Sequence, residues 1–256
     1  MQVVIAAALV ACSTGAIAPS PSPSATATPR PATSAPSPIP TQAASPTGTG
    51  TAPPSIAVHY VAIGASDTVG VGALDPERGS WPARIADLLP AGATYTNVGV
   101  SGSLVADAAR VQLPAAIRAR PTLVSIWLAV NDLNAGLAPA DHAATLGRMV
   151  DELVAKTAAR VFVGNVPDLR AVPLYGDTDP EVLIAVVNAY NAGIAGVAAS
   201  HGERVVLVDL FTGSAALMTD VTVAPDGFHP SDAGYVLIAE RFVRAMREAG
   251  IPLRSS

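Results

Sequence analysis

Val58-His59-Tyr60-Val61-Ala62-Ile63-Gly64-Ala65-Ser66-Asp67-Thr68-Val69-Gly70 is the stretch on which the fold turns. Its first half is an apolar run of β-formers, which reads as a buried strand. The run stops at Gly64-Ala65, and a hydroxyl follows at once in Ser66. Ser66 therefore stands at the carboxyl end of the first strand, the edge at which open α/β sheets bind ligands. Its small neighbours leave the space around the hydroxyl clear.

Downstream, strands and helices alternate. Tyr95 to Val98 reads as a short strand. Leu123 to Val130 is a continuous apolar run, as expected of a central strand buried on both faces, and it ends at Asn131-Asp132. Arg160 to Val166 and Val205 to Leu210 complete the strands. Between them the spacing predicts a helix over Pro82 to Leu89 and a helical stretch over Leu104 to Arg118, interrupted or ended near Pro114. A longer helix is predicted over Pro139 to Ala159, with Leu146, Met149, Val150, Leu153 and Val154 on one face. Asp179-Pro180-Glu181 opens another, with a stripe of Leu183, Val187, Tyr190, Ile194 and Val197. Ser231 caps the last, whose inner face carries Tyr235, Ile238, Phe242 and Met246. Such alternation predicts an α/β fold over residues 56–256: three α/β/α layers around a flavodoxin-like, mostly parallel, five-stranded sheet.

Upstream the chain changes character. Residues 1–11 are apolar and too few to span a bilayer as a helix, so they read as a signal sequence. Leu9-Val10-Ala11-Cys12 resembles the lipobox of bacterial lipoproteins, which implies cleavage before Cys12 and lipidation of that residue. No Lys or Arg precedes the apolar run, which departs from the usual signal anatomy; a plain secretory signal with an incidental cysteine is the alternative. Residues 13–55 are dominated by Pro, Ser, Thr and Ala, with Arg30 the only charge. Such a segment cannot bury a core and is expected to be an extended, disordered tether. The domain is thus expected outside the cytoplasm, anchored to a membrane through Cys12, or else secreted.

Cys12 is the single cysteine, which excludes an intramolecular disulfide and any cysteine-based metal site. The net charge is -5 and the basic residues form no stripe, which argues against nucleic acid as a partner.

Four stretches place polar groups at strand ends or in glycine-rich turns. Of the four histidines, His59 falls inside the first strand, and His142 and His201 fall in or beside helices, where solvent exposure is expected. His229 lies in Pro225-Asp226-Gly227-Phe228-His229-Pro230, a turn before the last helix. Asp226, three residues earlier, can reach the imidazole in a tight turn, fix its tautomer and stabilise its protonated form. Acyl transfer also needs donors aimed at the tetrahedral oxygen. The backbone N–H of Ser66, the N–H of Gly102 and the side-chain amide of Asn131 are the candidates. For Gly102 the plainer alternative is a turn that needs its dihedrals, and for Asn131-Asp132 a cap on the segment that follows.

Gly64-Ala65-Ser66-Asp67, Val100-Ser101-Gly102, Ala129-Val130-Asn131-Asp132 and Asp226-Gly227-Phe228-His229 occur in an order that resembles the SGNH/GDSL hydrolase family. The resemblance runs from Tyr60 to the final helix. It implies the SGNH hydrolase fold, Ser66 as nucleophile, His229 as base, Asp226 as the acid that orients it, and an oxyanion hole formed by Ser66, Gly102 and Asn131. It implies no cofactor and no metal. Two positions depart from the pattern: the first block usually reads Gly-Asp-Ser, and the third usually begins with Gly, where this chain has Ala65 and Ala129.

The sequence thus predicts a serine esterase that cleaves carboxylic esters through an acyl-enzyme, of carboxylesterase, acetylesterase or lysophospholipase type. Short-acyl or carbohydrate esters and lysophospholipid-type lipids are the substrate classes, and a monomer is expected. The rival is a non-catalytic lipoprotein that binds a glycan or solute. A binder has no need of a general base beside a free hydroxyl.

Overall fold

The computed structural model describes residues 57–255. The expected signal sequence, Cys12 and the tether lie outside the described residues, as does Ile56, the expected first residue of the domain.

β1 (His59–Gly64) leads through Ala65 into a single helical turn, α1 (Ser66–Val69). Two short helices follow, α2 (Pro76–Gly79) and α3 (Trp81–Ala86), each with a proline in its first turn, where the missing N–H costs nothing. Then come β2 (Thr94–Asn97), α4 (Val105–Asp107), a π-helical turn at Ala108–Gln112, and α5 (Leu113–Arg118). β3 (Leu123–Trp127) passes into α6 (Val130–Asn134) and the long α7 (Pro139–Lys156). β4 (Arg160–Gly164), α8 (Pro180–Ala199), β5 (Val205–Val208) and α9 (Asp232–Glu248) complete the order.

The strands form a five-stranded sheet in the order β2-β1-β3-β4-β5, with every neighbouring pair parallel. Alternate strand residues feed separate cores on the two faces. Val61, Ile63, Val124, Ile126, Val161 and Val163 pack with residues of α4, α5, α7 and α8. Tyr60, Ala62, Trp127 and Phe162 pack with Trp81 and Ile85 of α3 and with Tyr235 and Phe242 of α9. Trp81 stacks on Phe242 with ring centroids 4.3 Å apart. This is the predicted three-layer α/β fold. α8 is apolar and long enough to cross a bilayer by composition. Here its stripe of Leu183, Val187, Tyr190 and Ile194 is buried in the first core instead.

The structure overturns two expectations and decides between the alternatives of a third. The central strand stops at Trp127, because Ala129 takes a φ of 104° and turns the chain out of the sheet. Asn131 therefore sits in the first turn of α6, not at the strand end. The 105–118 stretch does not end at Pro114. The π turn that precedes it makes room for a residue that cannot donate a backbone hydrogen bond. His142, expected at the surface, is 1% exposed: it faces inward from α7, 3.5 Å from Asp132 and against the ring of Tyr190. The apolar stripe of α7 is wider than the aliphatic residues alone indicate.

Candidate active site

The carboxyl edge of the sheet gathers the polar groups. β1 ends at Gly64, where Thr68 and the Trp127 backbone leave no room for a side chain. A Cβ there would overlap the side chain of Thr68 and the carbonyl oxygen of Trp127. Ser66 begins α1 two residues later and is 8% exposed.

The His229 turn is held as a narrow loop. Val223 and Pro230 form an antiparallel bridge, and the Ala224 N–H donates to the His229 carbonyl at 2.8 Å. Asp226 sits inside this loop. Its Oδ1 accepts the N–H groups of Phe228 and His229, each at 3.0 Å. Its Oδ2 lies 2.5 Å from Nδ1 of His229, and Nε2 of the same ring lies 2.9 Å from Oγ of Ser66. An ionised carboxylate only accepts, so Nδ1 carries the proton and Nε2 is left to accept the serine hydroxyl. Burial alone would raise the Asp226 carboxyl. The hydrogen bond from His229 and those from the two backbone N–H groups outweigh it and hold Asp226 below the usual carboxylate range.

Of the candidate oxyanion donors, Ser66 and Asn131 line the cleft that holds His229, and Gly102 lies in the turn beside the cleft residue Ser103. Gly102 has φ 77°, and a Cβ on it would meet nothing within 4 Å. Its dihedral demands glycine, then, and not a close neighbour. The Asn131 amide donates to the Ser103 carbonyl at 3.1 Å, which ties α6 to the Gly102 turn. Asp132 caps α4 and not the segment that follows it: both its oxygens accept the Val105 N–H at 3.1 Å. The structure thus brings Ser66, Gly102, Asn131, Asp226 and His229 to one edge of the sheet. It keeps the other histidines apart; His201 is engaged with Asp151 and the Val197 carbonyl.

Sequence reading missed Gln112. This buried side chain accepts the Gly64 N–H at 3.0 Å, donates to the Gly64 carbonyl at 3.0 Å, and donates to Oγ of Ser103 at 3.0 Å. It acts as a one-residue strand partner for the end of β1 and joins the Ser66 turn to the Gly102 turn. The signal was a lone amide between Val111 and Leu113 in a helical run.

A cleft opens in front of Ser66. Leu169, Val172, Leu210, Leu217, Met218 and Ile238 line its walls, so it offers an apolar bed beside a polar edge. Among the described residues no group of His, Cys, Asp or Glu side chains is arranged to hold a metal. The arrangement can pass a proton from Oγ of Ser66 to Nε2 of His229 and present N–H donors to a neighbouring oxygen.

The sequence pattern of the GDSL-like Lipase/Acylhydrolase family matches residues 62–237. The structure is similar to that of TesA, with 25% identity, 75% of this chain and 99% of that chain covered, and a TM-score of 0.59. It is also similar to a catalytic mutant of Axe2, an acetylxylan esterase from Geobacillus stearothermophilus, with 21% identity, 75% and 95% covered, and a TM-score of 0.60. A family 3 carbohydrate esterase of Clostridium thermocellum matches with 21% identity, 75% and 96% covered, and a TM-score of 0.56. No curated protein sequence matches the chain.

Proposed function

Because the chain belongs to the GDSL-like lipase/acylhydrolase family, we propose that it is a serine esterase that hydrolyses carboxylic esters through an acyl-enzyme on Ser66. The observation that carries the reading is the unbroken line from Asp226 through His229 to Oγ of Ser66 at 2.5 and 2.9 Å. Nε2 takes the hydroxyl proton as Oγ attacks the carbonyl carbon. The resulting imidazolium is stabilised by Asp226. The Ser66 and Gly102 N–H groups and the Asn131 amide face the tetrahedral oxygen. The imidazolium returns its proton to the departing alcohol. Water then attacks the acyl-enzyme, with His229 again as base, and the carboxylic acid leaves.

For substrate we propose small esters: carbohydrate esters, as the names of two structural neighbours suggest, acetylated ones as the first of those names says, or lipid esters whose acyl chain lies in the apolar cleft. The domain works outside the cytoplasm on a tether from Cys12. The test of the chemistry is hydrolysis of p-nitrophenyl acetate, butyrate and octanoate, with labelling by a serine-directed fluorophosphonate. Ser66→Ala and His229→Ala are expected to lose turnover by at least ~1,000-fold while remaining folded. Normal turnover by folded Ser66→Ala overturns the mechanism. For the anchor, Cys12→Ser is expected to move the protein from the membrane to the soluble fraction.

A further inference from the structure

In the first block this chain carries its carboxylate after the serine, where the family pattern has one before it. Asp67 follows Ser66 in the first turn of α1, is half-buried, and lines the same cleft as Ser66 and His229. Its Oδ1 accepts the Thr68 N–H at 2.9 Å, which fixes the side chain against the turn. Among the described residues no arginine, lysine or histidine forms an ion pair with it. The charged and titratable groups around it are few. His229 faces it from the loop before α9, and Asp226 in the same loop is engaged with His229. Tyr235 and Asp232 face the same space from α9. Tyr235 donates its hydroxyl to the Val71 carbonyl, and Asp232 is paired with Arg84 at 3.5 Å. Arg241, at the far wall of the cleft, spends its guanidinium on the Asp209 and Thr212 carbonyls. The positive charge that can answer Asp67 is the one that appears on His229 when Ser66 gives up its proton.

We infer that Asp67 is a second carboxylate acting through His229, a positioning residue that stabilises the imidazolium during acyl transfer. It takes no proton from the substrate and forms no bond to it. Oγ loses its proton to Nε2 as the acyl bond forms, and the proton leaves with the alcohol as before. Asp226 holds the ring by a hydrogen bond, whereas Asp67 contributes charge alone, and only when ionised. Burial pushes its carboxyl up to about 6, against the pull of the Thr68 N–H and of His229. The contribution is therefore present above about pH 6 and lost below it.

The inference rests on the serine esterase reading, and one experiment separates the two. The rate of ester hydrolysis and of fluorophosphonate labelling is measured from pH 4.5 to 9 for the full-length protein and for Asp67→Asn. The amide keeps the acceptor for Thr68 N–H and removes the charge. At pH 8 the variant is expected to be about tenfold slower than wild type in both assays. That ratio is expected to fall toward one as the pH drops through about 6, where wild-type Asp67 becomes neutral too. A merely structural role gives a ratio that does not change with pH, and that result overturns the inference, as does a ratio near one throughout. Asp67→Glu keeps the charge and is expected to recover most of the wild-type rate at pH 8; if the Asn variant does not fold, the Glu variant decides alone, and a rate at pH 8 as low as that expected of the Asn variant, with the protein folded, overturns the proposal. A wild type that neither hydrolyses esters nor takes the fluorophosphonate overturns the serine reading itself.

Discussion

The methyl group of Ala129 sits on a backbone with φ 104° and is 1% exposed. An L-residue in that region is strained by roughly 1–3 kcal/mol. Glycine relieves the strain but loses more entropy on folding, so Ala129→Gly is expected to stabilise the domain by a net ~1 kcal/mol. A thermal melt should rise by about 2–4 °C. A fall would mean that the methyl packs to more effect than the backbone is strained. Asp67 makes the opposite kind of trade. Its folded carboxyl titrates at about 6, above the usual value. The stability linked to it is therefore complete below about pH 4 and lost as the pH rises through 6. Asp67→Asn is expected to be more stable than wild type at pH 8 by about 1 kcal/mol, the full shift being discounted for partial exposure, and equal to it near pH 4. Denaturant midpoints at the two pH values check this. At this scale the sequence was informative about Ser66, Asp226 and His229, because each lies beside a turn whose residues declare it. It misled about His142, expected at the surface but buried, because an imidazole at one position of an amphipathic helix carries no mark of which way it faces. Nothing in the spacing could show that Asp132 and Tyr190 would meet it.

At the scale of elements, the strands and the long helices were readable from their apolar periods, and the junctions were not. Leu128-Ala129-Val130 is as apolar as the strand before it, so no composition change announces the turn into α6. The π turn at Ala108–Gln112 was equally hidden, since Pro114 could mean a break or a bulge. The bulge has a function in the fold: it aims Gln112 at both backbone groups of Gly64. Gln112→Leu takes the acceptor from the buried Gly64 N–H, while the Gly64 carbonyl keeps the Val100 N–H at 3.1 Å, and is expected to cost about 1–3 kcal/mol. Urea titration would register it, with a parallel fall in kcat as the Ser66 and Gly102 turns lose their common tie. A π turn holds one more residue than the α-helix it interrupts. Deleting one residue between Ala108 and Leu113 would mend the helix and swing Gln112 away from Gly64, so the irregularity and the glutamine stand or fall together.

Across the whole molecule, the cleft lies where the two faces of the sheet come together at its carboxyl edge. Loops after β4 and β5 supply one wall, and Ile238 of α9 supplies another. Ile238→Trp fills that wall and is expected to reduce octanoate hydrolysis at least tenfold relative to acetate, the value of a few lost apolar contacts in a pocket. An unchanged chain-length profile would place the acyl group elsewhere. Ser66 and His229 meet across 163 residues of chain, and every neighbouring strand pair is parallel. Few of these contacts are local, so the entropy of closing long loops must be met before they form. In a refolding experiment the far-ultraviolet helical signal should therefore return ahead of fluorophosphonate reactivity at Ser66. If Ser66 is the nucleophile, the chain stays harmless to esters while it is being made; the hydroxyl becomes dangerous only when the last segment has docked His229 against it.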